Sequence, residues 1–180
     1  TACFCSSSIF LLYGVTGSGK TNVYMKLIES VISSGRTALF LVPEISLTPQ
    51  IINRFTSYFS RIAVLHSKLS DSEKYDEWRK INEGKVDIVI GARSAVFAPL
   101  KNIGIIIVDE EHTSTYKQEN IPRYNAIDIA KFRSRYHNCP LVLGSATPTI
   151  ESYTRALRGE YNLVCLPTVS YTHLTLPTIR

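Results

Sequence analysis

An α/β fold, three layers deep with a parallel sheet between two sets of helices, is what this sequence predicts. Three observations lead there. Short runs rich in Val, Ile and Leu occupy residues 10–13, 38–42, 62–65, 86–90, 103–108 and 141–143. They are continuous rather than alternating with polar residues, as strands are when both faces are covered. Segments of helical spacing separate them at 21–32, 47–59, 70–82 and 126–136, and strands alternating with helices imply parallel pairing through right-handed crossovers. A glycine-rich turn, finally, joins the first run to the first helical segment.

Residues 1–8 are small and without periodicity, so an irregular leader is expected there. The first run then opens into Gly14-Val15-Thr16-Gly17-Ser18-Gly19-Lys20-Thr21, which fits G-x-x-x-x-G-K-[ST] without a mismatch and in the required strand-to-helix context. Such glycines let successive N–H groups turn inward toward phosphate oxygens, and the helix N-terminus adds partial positive charge. Gly14, Thr16, Gly17, Ser18, Gly19, Lys20 and Thr21 are therefore the expected nucleotide contacts. Lys20 is assigned to the β- and γ-phosphates and the Thr21 hydroxyl to Mg²⁺.

Further along, Ser70 with Glu73 forms a capping box that starts a helix, and Tyr75, Trp78 and Ile81 are expected on its apolar face. The run at 103–108 carries Asp109-Glu110-Glu111-His112 to its C-terminal edge, where open α/β sheets bind ligands. Asp109 is expected to hold Mg²⁺ through water, and Glu110 to polarise the attacking water. Three adjacent carboxylates repel one another unless a cation sits among them. The expected catalytic set is Lys20, Asp109 and Glu110.

At 180 residues the chain suits one domain with a proper core, and its 44% hydrophobic and 19% charged content is that of a globular protein. A net charge of +5 is compatible with a polyanionic partner without requiring one. Cys3, Cys5, Cys139 and Cys165 lack the spacing of a zinc site and read as free thiols. No apolar run reaches transmembrane length, so no membrane contact and a cytoplasmic location are expected. The ATP-binding lobe is expected over 9–167. A tail follows at 168–180, whose VSYTHLTLPTIR run is similar to translated adapter sequence and is assigned no function.

Asp-Glu-x-His is a helicase form of the acidic motif, and Gly144-Ser145-Ala146-Thr147-Pro148 is the S-A-T element of superfamily 2 translocases. With Leu41-Val42-Pro43-Glu44-Ile45-Ser46-Leu47-Thr48, Gly91-Ala92-Arg93-Ser94-Ala95-Val96-Phe97-Ala98-Pro99, Tyr116-Lys117-Gln118-Glu119 and Pro122-Arg123-Tyr124, the chain resembles the PriA family (primosomal protein N′) of bacterial replication-restart helicases over roughly residues 10–167. The resemblance implies a P-loop NTPase of the RecA-like helicase-lobe kind. It would be the N-terminal motor lobe of an ATP- and Mg²⁺-dependent DNA helicase moving 3′ to 5′ in replication restart and primosome assembly. Single-stranded and forked DNA and replication-restart proteins are the implied partners.

Residue by residue, the resemblance places Pro43, Glu44, Arg93 and Ser94 along the nucleic-acid path, where the Arg93 guanidinium suits a phosphate. His112, Ser145 and Thr147 match the elements that couple hydrolysis to strand movement. Tyr116, Lys117, Arg123 and Tyr124 fall in an aromatic-rich loop that suits stacking on single-stranded DNA, or equally packs back onto the lobe. A second motor lobe, with an arginine finger and zinc-binding cysteines, is expected beyond residue 167, and zinc only there. A DNA-binding region is expected before residue 8. The sequence departs from the family pattern at Asn22 and Thr113, where acidic residues are expected, and at Asn125 and Ile127, where a histidine and a cation are. Two other readings compete: another superfamily 2 translocase, and a nucleotide-dependent DNA-binding or loading module without motor activity.

Overall fold

The computed structural model describes residues 7–167. Most of the expected leader, with Cys3 and Cys5, and the whole of the expected tail at 168–180 lie outside the described residues.

Strand β1 (Ile9–Tyr13) leads through the glycine-rich turn into α1 (Lys20–Ser33). There follow β2 (Thr37–Leu41), α2 (Pro49–Tyr58), β3 (Ile62–Leu65), α3 (Asp71–Asn82), β4 (Ile88–Gly91) and β5 (Ile103–Val108). A two-stranded arm, β6 (Lys117–Gln118) and β7 (Tyr124–Asn125), precedes α4 (Ala126–Tyr136), β8 (Leu141–Ser145), α5 (Ile150–Leu157) and β9 (Asn162–Cys165). The main sheet runs β3-β4-β2-β5-β8-β1-β9 with every pairing parallel, while β6 and β7 pair antiparallel outside it.

Why the apolar runs are continuous is visible in the two cores. Leu39, Leu41, Ile106 and Val108 pack on one face with Ala126, Ala130 and Ile81. Their chain neighbours Ala38, Phe40, Ile105 and Ile107 pack on the other with Tyr24, Ile28 and Phe55. A strand whose alternate residues both meet helices must be apolar throughout. The seventh strand, β9, was not expected. Its Asn-Leu-Val-Cys stretch lies exposed at the sheet edge, where burial imposes no pattern.

Helix α3 begins with the expected capping box: the Ser70 amide donates to Glu73 Oε2 at 2.8 Å, and the Glu73 amide to Ser70 Oγ at 3.3 Å. The apolar face is narrower than expected. Ile81 is buried, Trp78 half-buried and Tyr75 67% exposed, on a helix that packs against β3, the strand at the edge of the sheet. No helix of the described residues is long and apolar enough to cross a membrane.

Parallel pairing brings the C-terminal ends of all seven strands to one edge. The glycine-rich turn follows β1, Pro43 and Glu44 follow β2, Arg93 and Ser94 follow β4, and the acidic motif follows β5. The Ser145–Thr147 element follows β8, so every motif read from the sequence lies along that edge.

Candidate nucleotide site and nucleic-acid groove

The turn between β1 and α1 uses Gly17 and Gly19 at φ +80° and +87°, a region that other residues enter at a cost. No side chain caps α1, so its first amides keep their capacity for an anion. Ser18 Oγ, inside the turn, is buried with no hydrogen-bond partner among the described residues. Lys20 is 8% exposed, and its Nζ donates to the carbonyls of Gly14 (2.7 Å) and Val15 (3.4 Å). The same Nζ stands 4.0 Å from Glu110 Oε1, so the lysine and the acidic motif share one small volume.

Asp109 is held from several sides. Its amide donates to Leu41 O at 2.9 Å, its carbonyl accepts from Tyr116 Oη at 2.6 Å, and its Oδ1 accepts from Tyr24 Oη at 2.9 Å. Burial raises the Asp109 pKa above the usual carboxylate range, and the bond from Tyr24 partly offsets the rise. Burial, followed by the neighbouring Asp109 charge, raises both phenol pKa values, so Tyr24 and Tyr116 stay protonated donors. Glu110 adopts φ +48°, a strained conformation for a side chain of its size. Its Oε2 lies 3.5 Å from His112 Nδ1, which is 2.8 Å from Ser145 Oγ. Ser145 Oγ also accepts from the Thr147 amide at 3.0 Å. His112, Ser145 and Thr147, singled out as a coupling set, thus form one hydrogen-bonded chain leading to Glu110.

The third carboxylate does not join the cluster. Glu111 is 4% exposed and accepts from the Thr149 amide (2.8 Å), Ser152 Oγ (3.1 Å) and Thr149 Oγ1 (3.4 Å) at the start of α5. The repulsion expected among three carboxylates is therefore relieved by turning one away onto helix-end donors.

Beyond the ends of β2 and β4 lies a groove of about 380 Å³. Pro43, Glu44, Arg93, Ser94, Tyr116 and Tyr124 line it, so six of the eight residues expected on a nucleic-acid path converge. Glu44 accepts a hydrogen bond from Ser67 Oγ. Lys117 and Arg123 are outside it. Lys117 borders a different depression beside His112, and Arg123 Nε donates to Glu119 O at 3.0 Å.

Of the two arrangements expected for the aromatic-rich loop, Tyr116 takes the one that packs back onto the lobe. Tyr116 is 1% exposed, with its hydroxyl bonded into the acidic motif and to Leu41 O at 3.3 Å, so its ring offers no face for a base. Arg93 Nη1 donates to Lys117 O (2.8 Å) and Thr115 O (3.4 Å), and its guanidinium lies 5.8 Å from the Tyr124 ring centre. With Phe97 edge-on to Tyr124 at 5.0 Å, the loop packs back onto the lobe.

The departures from the family pattern have local uses. Asn125 caps α4 by accepting from the Ile127 amide at 3.0 Å, and Ile127 packs partly buried against the core. Asn22 accepts from Arg54, and Thr113 Oγ1 lies 3.0 Å from Thr115 Oγ1. Sequence reasoning missed Tyr24, because an aromatic on a helix face reads as core.

The family model for DEAD/DEAH box helicases matches residues 3–156. The replication restart protein PriA of Bacillus subtilis is 60% identical over 159 residues, which is 88% of this chain and 20% of that protein. PriA of Chlamydia trachomatis is 50% identical over 158 residues, 87% of this chain and 21% of that protein. The chain thus spans about a fifth of the length of these curated relatives. A solved structure of RecG bound to a three-way DNA junction matches with a TM-score of 0.64 at 23% identity, over 92% of this chain and 21% of that one, a likeness of fold.

Proposed function

The chain belongs to the DEAD/DEAH box helicase family, and from that premise we propose that it is the ATP-binding motor lobe of a 3′-to-5′ DNA helicase acting in replication restart and primosome assembly. The observation that carries the reading is the meeting of Lys20 Nζ with Glu110 Oε1, 4.0 Å apart, at the edge where the phosphate turn and the acidic motif converge. The relatives named PriA, at 60% and 50% identity, support the replication-restart part.

In this reading the amides of the turn and the N-terminus of α1 bind the phosphate chain. Lys20, now spent on the carbonyls of Gly14 and Val15, exchanges them for β- and γ-phosphate oxygens, a stronger charge-assisted bond. The Ser18 hydroxyl, without a partner among the described residues, fits a phosphate-facing turn. The hard oxygen donors of Thr21 and Asp109 suit Mg²⁺ and would hold it. Once bound, the ion would neutralise charge on the phosphates as they separate. Glu110 orients the attacking water. Its distance of 3.5 Å from His112 gives the His112–Ser145–Thr147 chain a direct reading of nucleotide state.

Single-stranded and forked DNA are the proposed partners, taken along the groove lined by Pro43, Glu44, Arg93 and Ser94. Replication-restart proteins are proposed beside them, in the cytoplasm. The arginine finger and zinc belong to a second lobe that closes over the nucleotide. Such an arginine is worth roughly 10³–10⁵ in rate, so residues 9–167 alone should bind nucleotide weakly and not unwind DNA. The test is ATP turnover by the full-length protein, with and without single-stranded DNA. DNA-stimulated turnover abolished by Lys20→Ala, with the melting curve unchanged, is expected. Normal turnover in that variant rejects the proposal.

A further inference from the structure

We propose that Tyr24 is a positioning residue that sets the orientation of the Asp109 carboxylate for the cation of a magnesium–nucleotide complex, and that Gly144 lacks a side chain to let it do so. The inference rests on the nucleotide-site reading above.

Lys20 and Tyr24 stand four residues apart and so share one face of α1. From that face Lys20 reaches Glu110 (4.0 Å) and Tyr24 reaches Asp109 (2.9 Å), so neighbouring rungs of one helix grip consecutive residues of the acidic motif. Tyr24 is fully buried, and its ring lies against Phe40 at 5.5 Å between centres. A purely apolar site would be served by phenylalanine. A buried hydroxyl demands a partner, and this one takes a carboxylate oxygen of the acidic motif.

Its approach needs space that only glycine leaves. A Cβ on Gly144 would stand 1.7 Å from Tyr24 Oη, 2.9 Å from its Cζ and 3.2 Å from Asp109 Oδ1. The Asp109 backbone is fixed independently by Leu41 O and Tyr116 Oη. What Tyr24 adds, beside the hold of the Glu110 amide on the same carboxylate, is a bond at Oδ1 that sets how the carboxylate faces the cation's shell. Partners that orient a ligating group in this manner are typically worth about 10–100-fold in metal affinity.

The experiment is a Mg²⁺ titration of ATP turnover by the full-length protein, wild type against Tyr24→Phe. Binding of a fluorescent ATP analogue in EDTA is measured in parallel. We expect the Mg²⁺ concentration for half-maximal turnover to rise at least tenfold, with metal-free nucleotide binding changed less than about twofold. A merely structural tyrosine would move neither curve selectively. Gly144→Ala drives the same phenol from Asp109 and is the second variant, needed should Tyr24→Phe fail to fold; it is expected to shift the Mg²⁺ curve in the same direction. An unshifted Mg²⁺ curve in either folded variant overturns the role of Tyr24 while leaving the ATPase reading intact. A wild-type protein with no Mg²⁺-dependent turnover overturns the nucleotide-site reading itself.

Discussion

Replacing Glu111 tests whether the third carboxylate of the acidic motif is structural. It supplies from a distance what a capping box normally supplies locally: it accepts the amide of Thr149, the N-cap of α5, while Thr149 Oγ1 accepts the Ser152 amide at 3.2 Å. Glu111→Ala strands that amide, whose short bond to a charged acceptor is worth about 1.5–3 kcal/mol. The two hydroxyl bonds at 3.1 and 3.4 Å add about 1 kcal/mol. Loss of an anion at a helix N-terminus adds about 0.3–1 kcal/mol. Roughly 3–5 kcal/mol should therefore be lost. Glu111→Gln keeps an acceptor for Thr149 and turns its amide to hydroxyls that can also accept, so it should cost about 1 kcal/mol. Urea unfolding measures both. For a chain of 180 residues the alanine variant should also melt roughly 6–20 °C lower. A loss below 1 kcal/mol for alanine, or equal losses for the two variants, refutes the capping argument. A Glu111→Gln protein that folds normally but loses Mg²⁺-dependent turnover would instead place Glu111 at the metal.

Other outcomes follow from the same geometry. Glu110→Gln should still bind Mg–ATP but hydrolyse it orders of magnitude more slowly; loss of binding in an equilibrium nucleotide titration would instead make Glu110 a structural residue. Arg93→Ala should free the β6–β7 arm, and Arg93→Lys should not restore it, because one ammonium cannot serve two carbonyls and a ring face. Limited proteolysis of both variants around residues 117–123 checks this, and wild-type resistance in Arg93→Ala would count against it. Burial pushes the Cys139 thiol up to about 11, whereas Cys165 is exposed. Iodoacetamide near pH 8 should alkylate Cys165 and spare Cys139 until urea is added, as read by peptide mass mapping.

The chain's sequence alone determined its layers and its motifs. Doubly covered strands must be apolar at every position, so β2, β4 and β5 are legible without knowing their neighbours. A phosphate turn needs glycines and one lysine at fixed local spacing, and Ser70 with Glu73 is a local exchange of hydrogen bonds. Local chemistry is written in local order. Only the tertiary structure decided which of these groups meet. Tyr24 and Asp109 are 85 residues apart and Glu111 and Ser152 are 41, and no periodicity records such pairs. Tyr116 and Arg123 look alike as loop residues, yet one is sealed beneath the acidic motif and the other stays outside the groove. The edge strand β9 was illegible for the opposite reason: its side chains meet little, so nothing constrained their pattern. Burial, which separates a stacking aromatic from a structural one, is a property of the assembled sheet and its crossovers, and the chain acquires it only on folding.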